Sequence, residues 1–154
     1  MSLAAGDPAP DFQLPASGGR DVRLAAMRGK PFVLYFYPKA DTPGCTREAC
    51  AFQEALPALG VIGVEVVGVS RDAMKPIEAF AKKYKLTFPL ASDAAGKTSE
   101  AYGTWVEKSM YGRKYMGMER ATFLIDRQGN IARIWRKVKV NGHAAEVAAA
   151  AKAL

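Results

Sequence analysis

The stretch YFYPKADTPGCTREAC, residues 35–50, joins the end of an apolar segment to a turn-rich loop and two cysteines five positions apart. The apolar, aromatic run from Phe32 to Tyr37 has the composition and length of a buried central strand. Pro38 marks the end of this strand because proline cannot donate a hydrogen bond to a ladder. Thr42 followed by Pro43 is typical of a helix start, with Thr42 as the N-cap. The stretch therefore predicts a strand, a loop and a helix.

Cys45 falls in the first turn of that predicted helix. Unpaired backbone N–H groups and the positive end of the helix dipole both favour the thiolate there, which is the nucleophilic form of cysteine. The chain has only one other cysteine, Cys50. In a reducing compartment, a pair of cysteines is more often catalytic or redox-active than structural. We expect this pair to carry the chemistry, with two inert buried thiols as the alternative.

The composition is that of an ordinary globular protein, with 154 residues, 49% apolar residues and 24% charged residues. A chain of this length is expected to form one domain, residues 1–154, without disulfides or metals as staples. The first ten residues lack the features of a signal peptide, and no apolar run approaches the roughly 18 residues that span a bilayer. We therefore expect a cytoplasmic protein with no membrane association.

The formal net charge of +7 raises the question of nucleic-acid binding. The basic residues are spread along the chain, with no run of five like charges, and no helix-turn-helix, zinc-finger or single-strand-binding motif accompanies them. We expect a solvated basic surface and no nucleic-acid partner.

Outside the opening stretch, strands and helices alternate. Strands are predicted at 64–70, 86–91, 120–126 and 131–137, and helices at 43–60, 73–83, 98–102 and 143–153. Residues 12–24 predict an N-terminal β-hairpin, and residues 127–130 a hairpin turn. This order predicts an α/β fold with a mixed central sheet and helices on both faces.

Three details of this prediction depend on single features. Pro57 and Gly60 are expected to disturb and then end the first long helix. Pro89 predicts that the strand at 86–91 is an edge strand or pairs irregularly. Residues 105–118 show little periodicity, so we expect a loop over the site. Their aromatic side chains are expected to pack a core or covering loop, with the lining of an entrance to the site as the alternative, and their methionines are expected to be flexible packing or part of a mobile lid.

The block PKADTPGCTREAC resembles the active-site segment of the peroxiredoxins, in which a proline, a threonine and a cysteine have the spacing of Pro38, Thr42 and Cys45. The second cysteine, Cys50, resembles that of the bacterioferritin comigratory protein or peroxiredoxin Q group, which are atypical two-cysteine enzymes. Similar segments continue across most of the chain, including GDPAPDF, VVGVSRD and ERATFLIDRQGNI.

This resemblance implies a thioredoxin-like fold and a thiol peroxidase that reduces hydrogen peroxide and organic hydroperoxides. It assigns Cys45 as the peroxidatic cysteine, Cys50 as the resolving cysteine and Arg120 as the arginine that completes the site. Glu48 resembles the family glutamate that orients this arginine. Thioredoxin or a related dithiol protein is the implied reductant. We expect a monomer, with weak dimerisation as the alternative.

The residue types suit this chemistry. A thiolate that attacks a peroxide needs donors that stabilise both the thiolate and the departing oxyanion. Arg120 offers a planar fork of donors, and the Thr42 hydroxyl and the backbone near Gly44 and Cys45 offer more. Pro38 is expected to shield the sulfur from water and fix the loop.

Attack on a peroxide leaves Cys45 as a sulfenic acid, which condenses with a nearby thiol. On an intact helix, the Cα atoms of residues five apart lie roughly 8.6 Å from each other, beyond the limit of about 7 Å for a disulfide. We therefore expect the helix to unwind locally before Cys45 and Cys50 join, giving a strained disulfide open to an external reductant.

Other functions fit the residues less well. Two cysteines and the single His143 cannot supply the four ligands of a structural zinc site, and we expect no metal or cofactor. A Cys-His hydrolase would need His143 near Cys45, but a solvated or capping role at the start of the last helix is expected. A thioredoxin-type redox motif has two residues between its cysteines, not four. A redox sensor or chaperone-like protein switched by the same disulfide remains open.

Overall fold

The computed structural model of the chain describes residues 2–154. Within them it contains nine strands and four α-helices. The strands are β1 (Gln13–Ala16), β2 (Arg20–Arg23), β3 (Phe32–Phe36), β4 (Glu65–Ser70), β5 (Leu90–Ser92), β6 (Trp105–Met110), β7 (Arg113–Met118), β8 (Ala121–Ile125) and β9 (Ile131–Trp135). The helices are α1 (Pro43–Val61), α2 (Met74–Lys83), α3 (Lys97–Ala101) and α4 (His143–Lys152).

Seven strands form one mixed sheet in the order β2-β1-β5-β4-β3-β8-β9. The central strand β3 pairs in parallel with β4 and antiparallel with β8, and all five of its residues are buried. A strand that is apolar on both faces must be covered on both sides, which explains its position at the middle of the sheet. The predicted central strand and mixed sheet are confirmed.

Helices cover the two faces of this sheet unequally. The long helices α1, α2 and α4 pack on one face, where Phe52, Phe80 and Val147 join one hydrophobic cluster. The other face is covered by the N-terminal segment around Phe12 and by Tyr102 at the end of α3. Among residues 2–154, no helix has the length and apolar character that crossing a membrane requires.

The two predicted β-hairpins of the main sheet are confirmed. Strands β1 and β2 pair antiparallel. Strand β1 buries Leu14 and Ala16, strand β2 buries Val22, and Leu14 and Val22 face each other across the pair. Strands β8 and β9 also pair antiparallel, with a register shift between Leu124 and Ile125. The alternation of buried and exposed residues in β1 and β2 is the pattern expected for strands with one solvated face.

Two predicted details need correction. Helix α1 continues past Pro57 and Gly60 and ends one residue later at Val61, before Gly63, whose φ is +73°. A proline in the penultimate turn removes a single N–H donor, so the helix survives it. The strand predicted at 86–91 is only β5, which begins after Pro89. It lies inside the sheet between β4 and β1 and not at an edge, but its pairing with β1 is limited to Ala16 and Ala91, which agrees with the predicted irregular pairing.

The stretch 105–118 is not a loop, contrary to the prediction. It forms β6 and β7, an antiparallel hairpin separate from the main sheet. Most of its residues are exposed on both faces, so neither the strand nor the helix period is visible in its sequence. Its base is anchored, because the guanidinium of Arg71 lies 3.6 Å from the ring centre of Trp105, and the Glu119 N–H donates to the Thr104 carbonyl at 2.7 Å.

Candidate active site

Cys45 lies in the first turn of α1, where the chain leaves the carboxyl end of β3 through residues 37–42. Its side chain is 2% exposed. Cys50 is half-buried one and a half turns later, and both thiols are free. Helix α1 runs unbroken through both residues, which agrees with the expectation that an intact helix keeps the two sulfurs apart.

Arg120 lies 75 positions after Cys45 in the sequence but contacts its thiol in the fold. It lies immediately before β8, and the pairing of β8 with β3 places it beside the start of α1. Its Nη2 donates to Cys45 Sγ at 3.5 Å, and its Nη1 donates to Glu48 Oε1 at 2.7 Å. The structure therefore brings together the three side chains that the sequence nominated as nucleophile, arginine and orienting glutamate.

The ion pair of Arg120 and Glu48 is almost enclosed. The Glu48 side chain is 1% exposed and that of Arg120 is 17% exposed. Burial raises the pKa of Glu48 to about 7, although the charge and hydrogen bond of Arg120 act in the opposite direction. Burial alone would lower the pKa of Arg120, but the charges of Glu48 and Cys45 outweigh it and raise the pKa. Arg120 therefore stays a cation beside the sulfur.

Gly44 allows the guanidinium to approach the helix start. A Cβ at this position would lie 3.2 Å from Arg120 Nη2, closer than most such contacts in proteins. A larger side chain would push Arg120 away from the neighbouring Cys45. This close approach explains a glycine in the first turn of a helix, where its backbone freedom is otherwise a cost.

The predicted N-cap is only half right. Thr42 has the extended backbone of an N-cap residue, with φ −102° and ψ 156°, but its side chain makes no capping bond. The hydroxyl donates instead to the Lys39 carbonyl at 2.8 Å, across the loop that precedes the helix. Pro38 lies exposed directly after β3, so its role as a shield for the sulfur stays a prediction.

Asp72 is a site residue that the sequence reasoning missed. Its Oδ2 accepts hydrogen bonds from the Ala40 N–H at 2.7 Å and from the Ser70 hydroxyl at 2.9 Å. The loop before α1 is thereby fixed to the end of β4. The position of an aspartate directly after a buried strand was the available signal, because carboxyl ends of neighbouring parallel strands share one edge of a sheet.

Asp41 provides a second tether for the same loop. Its carboxylate accepts hydrogen bonds from Lys83 Nζ at 3.0 Å and from the Tyr84 hydroxyl at 2.8 Å, which connects the loop to the end of α2. Its φ is +58°, a left-handed conformation that aspartate tolerates better than most residues. Nothing in the sequence indicated this contact, because its partners lie more than forty positions away.

His143 has neither the solvated nor the capping role that was expected. Its imidazole is buried against Phe52 and Trp135, and its Nε2 lies 2.7 Å from the Thr122 hydroxyl. Burial lowers the pKa of His143 to about 4, so the ring is neutral near pH 7. Because the ring is hydrogen-bonded to Thr122 and not to Cys45, the structure does not support a Cys-His hydrolase. Among residues 2–154, no three His, Cys, Asp or Glu side chains are grouped to hold a metal ion.

Comparison with known proteins places this site in a family. Residues 5–134 match the AhpC/TSA family. The chain is 49% identical over 147 residues to a putative peroxiredoxin bcp of Coxiella burnetii, covering 96% of this chain and 97% of that protein. It is 43% identical over 146 residues to peroxiredoxin Bcp of Bacillus subtilis, covering 95% and 93%.

Solved structures agree with these relatives. Bacterioferritin comigratory protein of Xanthomonas campestris, studied for alkyl peroxide reduction, superposes with a TM-score of 0.91 at 42% identity, over 97% of this chain and 98% of that chain. A mutant of PrxQ from Xylella fastidiosa gives a TM-score of 0.94 at 39% identity, over 99% and 98%. The chain belongs to the AhpC/TSA family, and within it to the Bcp or PrxQ peroxiredoxins, which are thiol peroxidases with a thioredoxin-like fold.

Proposed function

We propose that Cys45 is the peroxidatic cysteine and Cys50 the resolving cysteine of a peroxidase that uses thioredoxin or a similar dithiol protein as its reductant. Hydrogen peroxide and organic hydroperoxides are the substrates. One observation carries the proposal: the guanidinium of Arg120 reaches Cys45 Sγ and the buried carboxylate of Glu48 at the same time. This arrangement holds a permanent positive charge against the one sulfur that lies at a helix start.

In the first step, the Cys45 thiolate attacks one peroxide oxygen and the O–O bond breaks. The sulfur becomes a sulfenic acid, and the second oxygen leaves as hydroxide or alkoxide and takes a proton from water. Negative charge moves from sulfur to the departing oxygen, so a cation between them stabilises the transition state. Arg120 supplies this cation, and the N–H groups of Gly44 and Cys45 contribute donors around the two oxygens. The Thr42 hydroxyl, which donates to the Lys39 carbonyl, can accept a hydrogen bond from the peroxide O–H.

In the second step, the Cys50 thiol displaces water from the sulfenic acid and forms the disulfide. An unbroken α1 separates the two Cα atoms by roughly 8.6 Å, so the residues between them must leave the helical conformation first. The start of α1 suits such unwinding, because it has no side-chain cap and contains Gly44, which has a low helix propensity. The dithiol reductant then restores both thiols through a mixed disulfide.

The cellular setting follows from the reductant. A dithiol protein that recycles this disulfide works in a reducing compartment, and we place the chain in the cytoplasm on that ground. A single catalytic unit needs no partner subunit in this scheme, because Cys45, Cys50, Glu48 and Arg120 all belong to one chain. We therefore propose a monomer, formed as one domain, with weak dimerisation as the alternative.

The test is peroxide consumption in the presence of thioredoxin and its reductase, with Cys45→Ser and Cys50→Ser compared with wild type. Cys45→Ser is expected to abolish turnover, because no nucleophilic sulfur remains in the first turn. Cys50→Ser is expected to keep a stoichiometric reaction with peroxide but to lose cycling with thioredoxin. Turnover by Cys45→Ser would overturn the site assignment. One oxidation per wild-type chain, without continued consumption, would instead indicate the redox sensor or chaperone-like switch.

A further inference from the structure

The β6–β7 hairpin concentrates the exposed apolar surface of the molecule. Six large apolar side chains are exposed among residues 2–154, and four of them lie between positions 110 and 116. They are Met110 (56% exposed), Tyr111 (98%), Tyr115 (43%) and Met116 (51%). Single exposed apolar residues need no explanation, but a cluster of this kind marks an interaction site. We call residues 110–116 the hairpin tip.

The hairpin tip belongs to the hairpin that leads directly to Arg120 in the active site. Strand β7 ends at Met118, two residues before Arg120, and Met118 is buried. Lys108 on β6 lies within the electrostatic reach of the site: burial and the charge of Arg120 lower its pKa, and the charge of Cys45 acts in the opposite direction. A protein that reaches the sulfur of Cys45 therefore has this hairpin beside it.

The base of the hairpin is fixed, whereas the tip is free to meet a partner. Trp105 is held under Arg71, and Glu119 is held by the Thr104 carbonyl and by Arg136, whose Nη1 lies 3.8 Å from Glu119 Oε2. Within the tip, an open depression of about 660 Å³ is lined by Met110, Tyr111, Arg113, Lys114 and Tyr115. A shallow apolar surface on a fixed support is suited to a transient protein complex.

Charge decides between the possible partners. Residues 105–118 contain Lys108, Arg113 and Lys114 against Glu107, which gives a net charge of 3 − 1 = +2, and the whole chain carries +7. Lys114 is partly compensated by Glu107 at 3.7 Å, and Arg113 is exposed at the tip. Two copies of this chain would meet with like charges, so a partner with acidic residues around an apolar centre is favoured.

We infer that the hairpin tip is the docking surface for the dithiol protein that reduces the Cys45–Cys50 disulfide, and that this reductant presents an apolar surface rimmed by Asp and Glu beside its dithiol. The inference rests on the proposed function. During exchange, a thiolate of the reductant attacks one sulfur of the disulfide and its second thiol releases the mixed disulfide, so one protein is reduced and the other oxidised. This exchange requires close contact between the two proteins at Cys45 and Cys50. The hairpin tip is the apolar, basic surface beside that site, and its charge is opposite to that of an acidic rim on the reductant.

The experiment measures how fast two reductants reduce the oxidised protein in stopped flow. Reduced thioredoxin is the protein reductant, and dithiothreitol is the small dithiol that needs no docking surface. The charge variant is Arg113→Glu with Lys114→Glu, and the apolar variant is Met110→Ser with Tyr111→Ser. The control for the charge variant is Arg28→Glu with Arg127→Glu, at the end of β3 and β8 that lies opposite the active site. The control for the apolar variant is Val61→Ser, which replaces an apolar side chain that is 87% exposed.

The charge variant is expected to slow reduction by thioredoxin about tenfold at low salt, with the difference shrinking as salt rises. The apolar variant is expected to slow it about fivefold at every salt concentration, because aromatic anchors dominate small interfaces. Reduction by dithiothreitol and both controls should stay within about twofold of wild type. All replaced side chains are exposed, and circular dichroism and thermal melting verify that the variants fold.

Three results would overturn the inference. The first is reduction by thioredoxin at the wild-type rate in both variants. The second is an equal loss with dithiothreitol, which would show that the tip changes the disulfide itself. The third is a dimer in sedimentation that the apolar variant abolishes, which would assign the tip to a second copy of the chain. A wild-type disulfide that neither reductant reduces would instead refute the proposed function.

Discussion

The loop at residues 38–42 and the first turns of α1, residues 43–50, differ in an unexpected way. The loop has no regular structure, yet side chains hold it from two directions, through Asp72 to the Ala40 N–H and through Asp41 to Lys83 and Tyr84. The start of the helix is regular, yet it has no side-chain cap. The irregular segment is therefore the one that side chains tether, and the proposed cycle requires the helical segment to change conformation.

This difference matches the two demands of the proposed cycle. Peroxide binding needs hydrogen-bond donors at fixed positions next to the Cys45 sulfur. Disulfide formation needs the backbone between Cys45 and Cys50 to move. The tethers of the loop end on β4 and α2, which pack into the core and have no part in the unwinding. Unwinding of residues 45–50 would leave those tethers intact, so the loop can guide the helix back after reduction.

The largest expected effect tests the buried ion pair between Glu48 on α1 and Arg120, the residue before β8. Arg120→Met removes the cation from Cys45 and leaves the carboxyl of Glu48 without its partner, so we expect the rate of Cys45 oxidation to fall about 100- to 1000-fold. The measurement is stopped-flow oxidation by hydrogen peroxide. Arg133→Met is the matched control, because Arg133 lies at the surface, where it pairs with Glu146 at 3.2 Å and lies 4.6 Å from the ring centre of Trp135, and it contacts neither Cys45 nor Glu48. An Arg120→Met variant that oxidises at the rate of the control would remove the basis for the proposed first step.

The next effect concerns pH and the mobile segment. Glu48 lies between the two cysteines, and its pKa is about 7 in the closed helix against 4.5 for an ordinary glutamate. Below pH 4.5 the carboxyl is protonated in both states and the closed helix has its full stability. As pH rises from 4.5 to 7, the unwound segment loses the proton first, so the equilibrium for unwinding becomes more favourable by about 3 kcal/mol, roughly 300-fold, and levels off above pH 7.

Amide hydrogen exchange of residues 45–50 measures this opening, after correction for the intrinsic pH dependence of exchange. The protein should carry Cys45→Ser and Cys50→Ser, so that no thiol titrates. Glu48→Gln in the same background is the control, and its opening should not vary with pH. A closed helix that becomes more stable with rising pH, or a pH dependence that survives Glu48→Gln, would contradict the role given to burial of this carboxyl.

The smallest of these effects is expected in the fixed loop. Asp72→Ala leaves the Ala40 N–H and the Ser70 hydroxyl without their acceptor, which should cost about 1–3 kcal/mol of unfolding free energy. Cys45 oxidation should slow about tenfold, because the loop no longer fixes the backbone that leads into the N–H donors of Gly44 and Cys45, while opening of residues 45–50 should not change. Chemical denaturation and stopped flow measure the two quantities.

Asp126→Ala is the matched control for the loop experiment. Asp126 also accepts two hydrogen bonds, here from the N–H groups of Gln128 and Asn130, but it does so in the turn after β8, at the opposite end of that strand from Arg120. It should lose comparable stability and keep its oxidation rate. Equal losses of rate in Asp72→Ala and Asp126→Ala would mean that the tether acts through global stability alone.

Much of the site was accessible from the sequence because it is local. The apolar run, Pro38, the Thr42–Pro43 pair and the cysteine spacing lie within about twenty positions, and strand and helix starts depend on such short-range patterns. Arg120 was different, because its residue type alone gave no reason to place it near Cys45, and only the family resemblance nominated it. Its contact with the sulfur follows from the pairing of β8 with β3.

The features that the sequence did not reveal have two physical causes. The tethers of Asp41 and Asp72, the burial of His143 and the inner position of β5 all depend on residues 20 to 40 or more positions apart, which meet only when strands and helices assemble. The hairpin of β6 and β7 escaped detection because solvent reaches both of its faces and erases the alternation of a half-buried strand. The sequence by itself determined the proposed nucleophile and the strand, loop and helix that present it, since neighbouring residues set these. The tertiary structure alone decided which distant charges surround that nucleophile, because the order of strands in a sheet is set by long-range packing that no local pattern encodes.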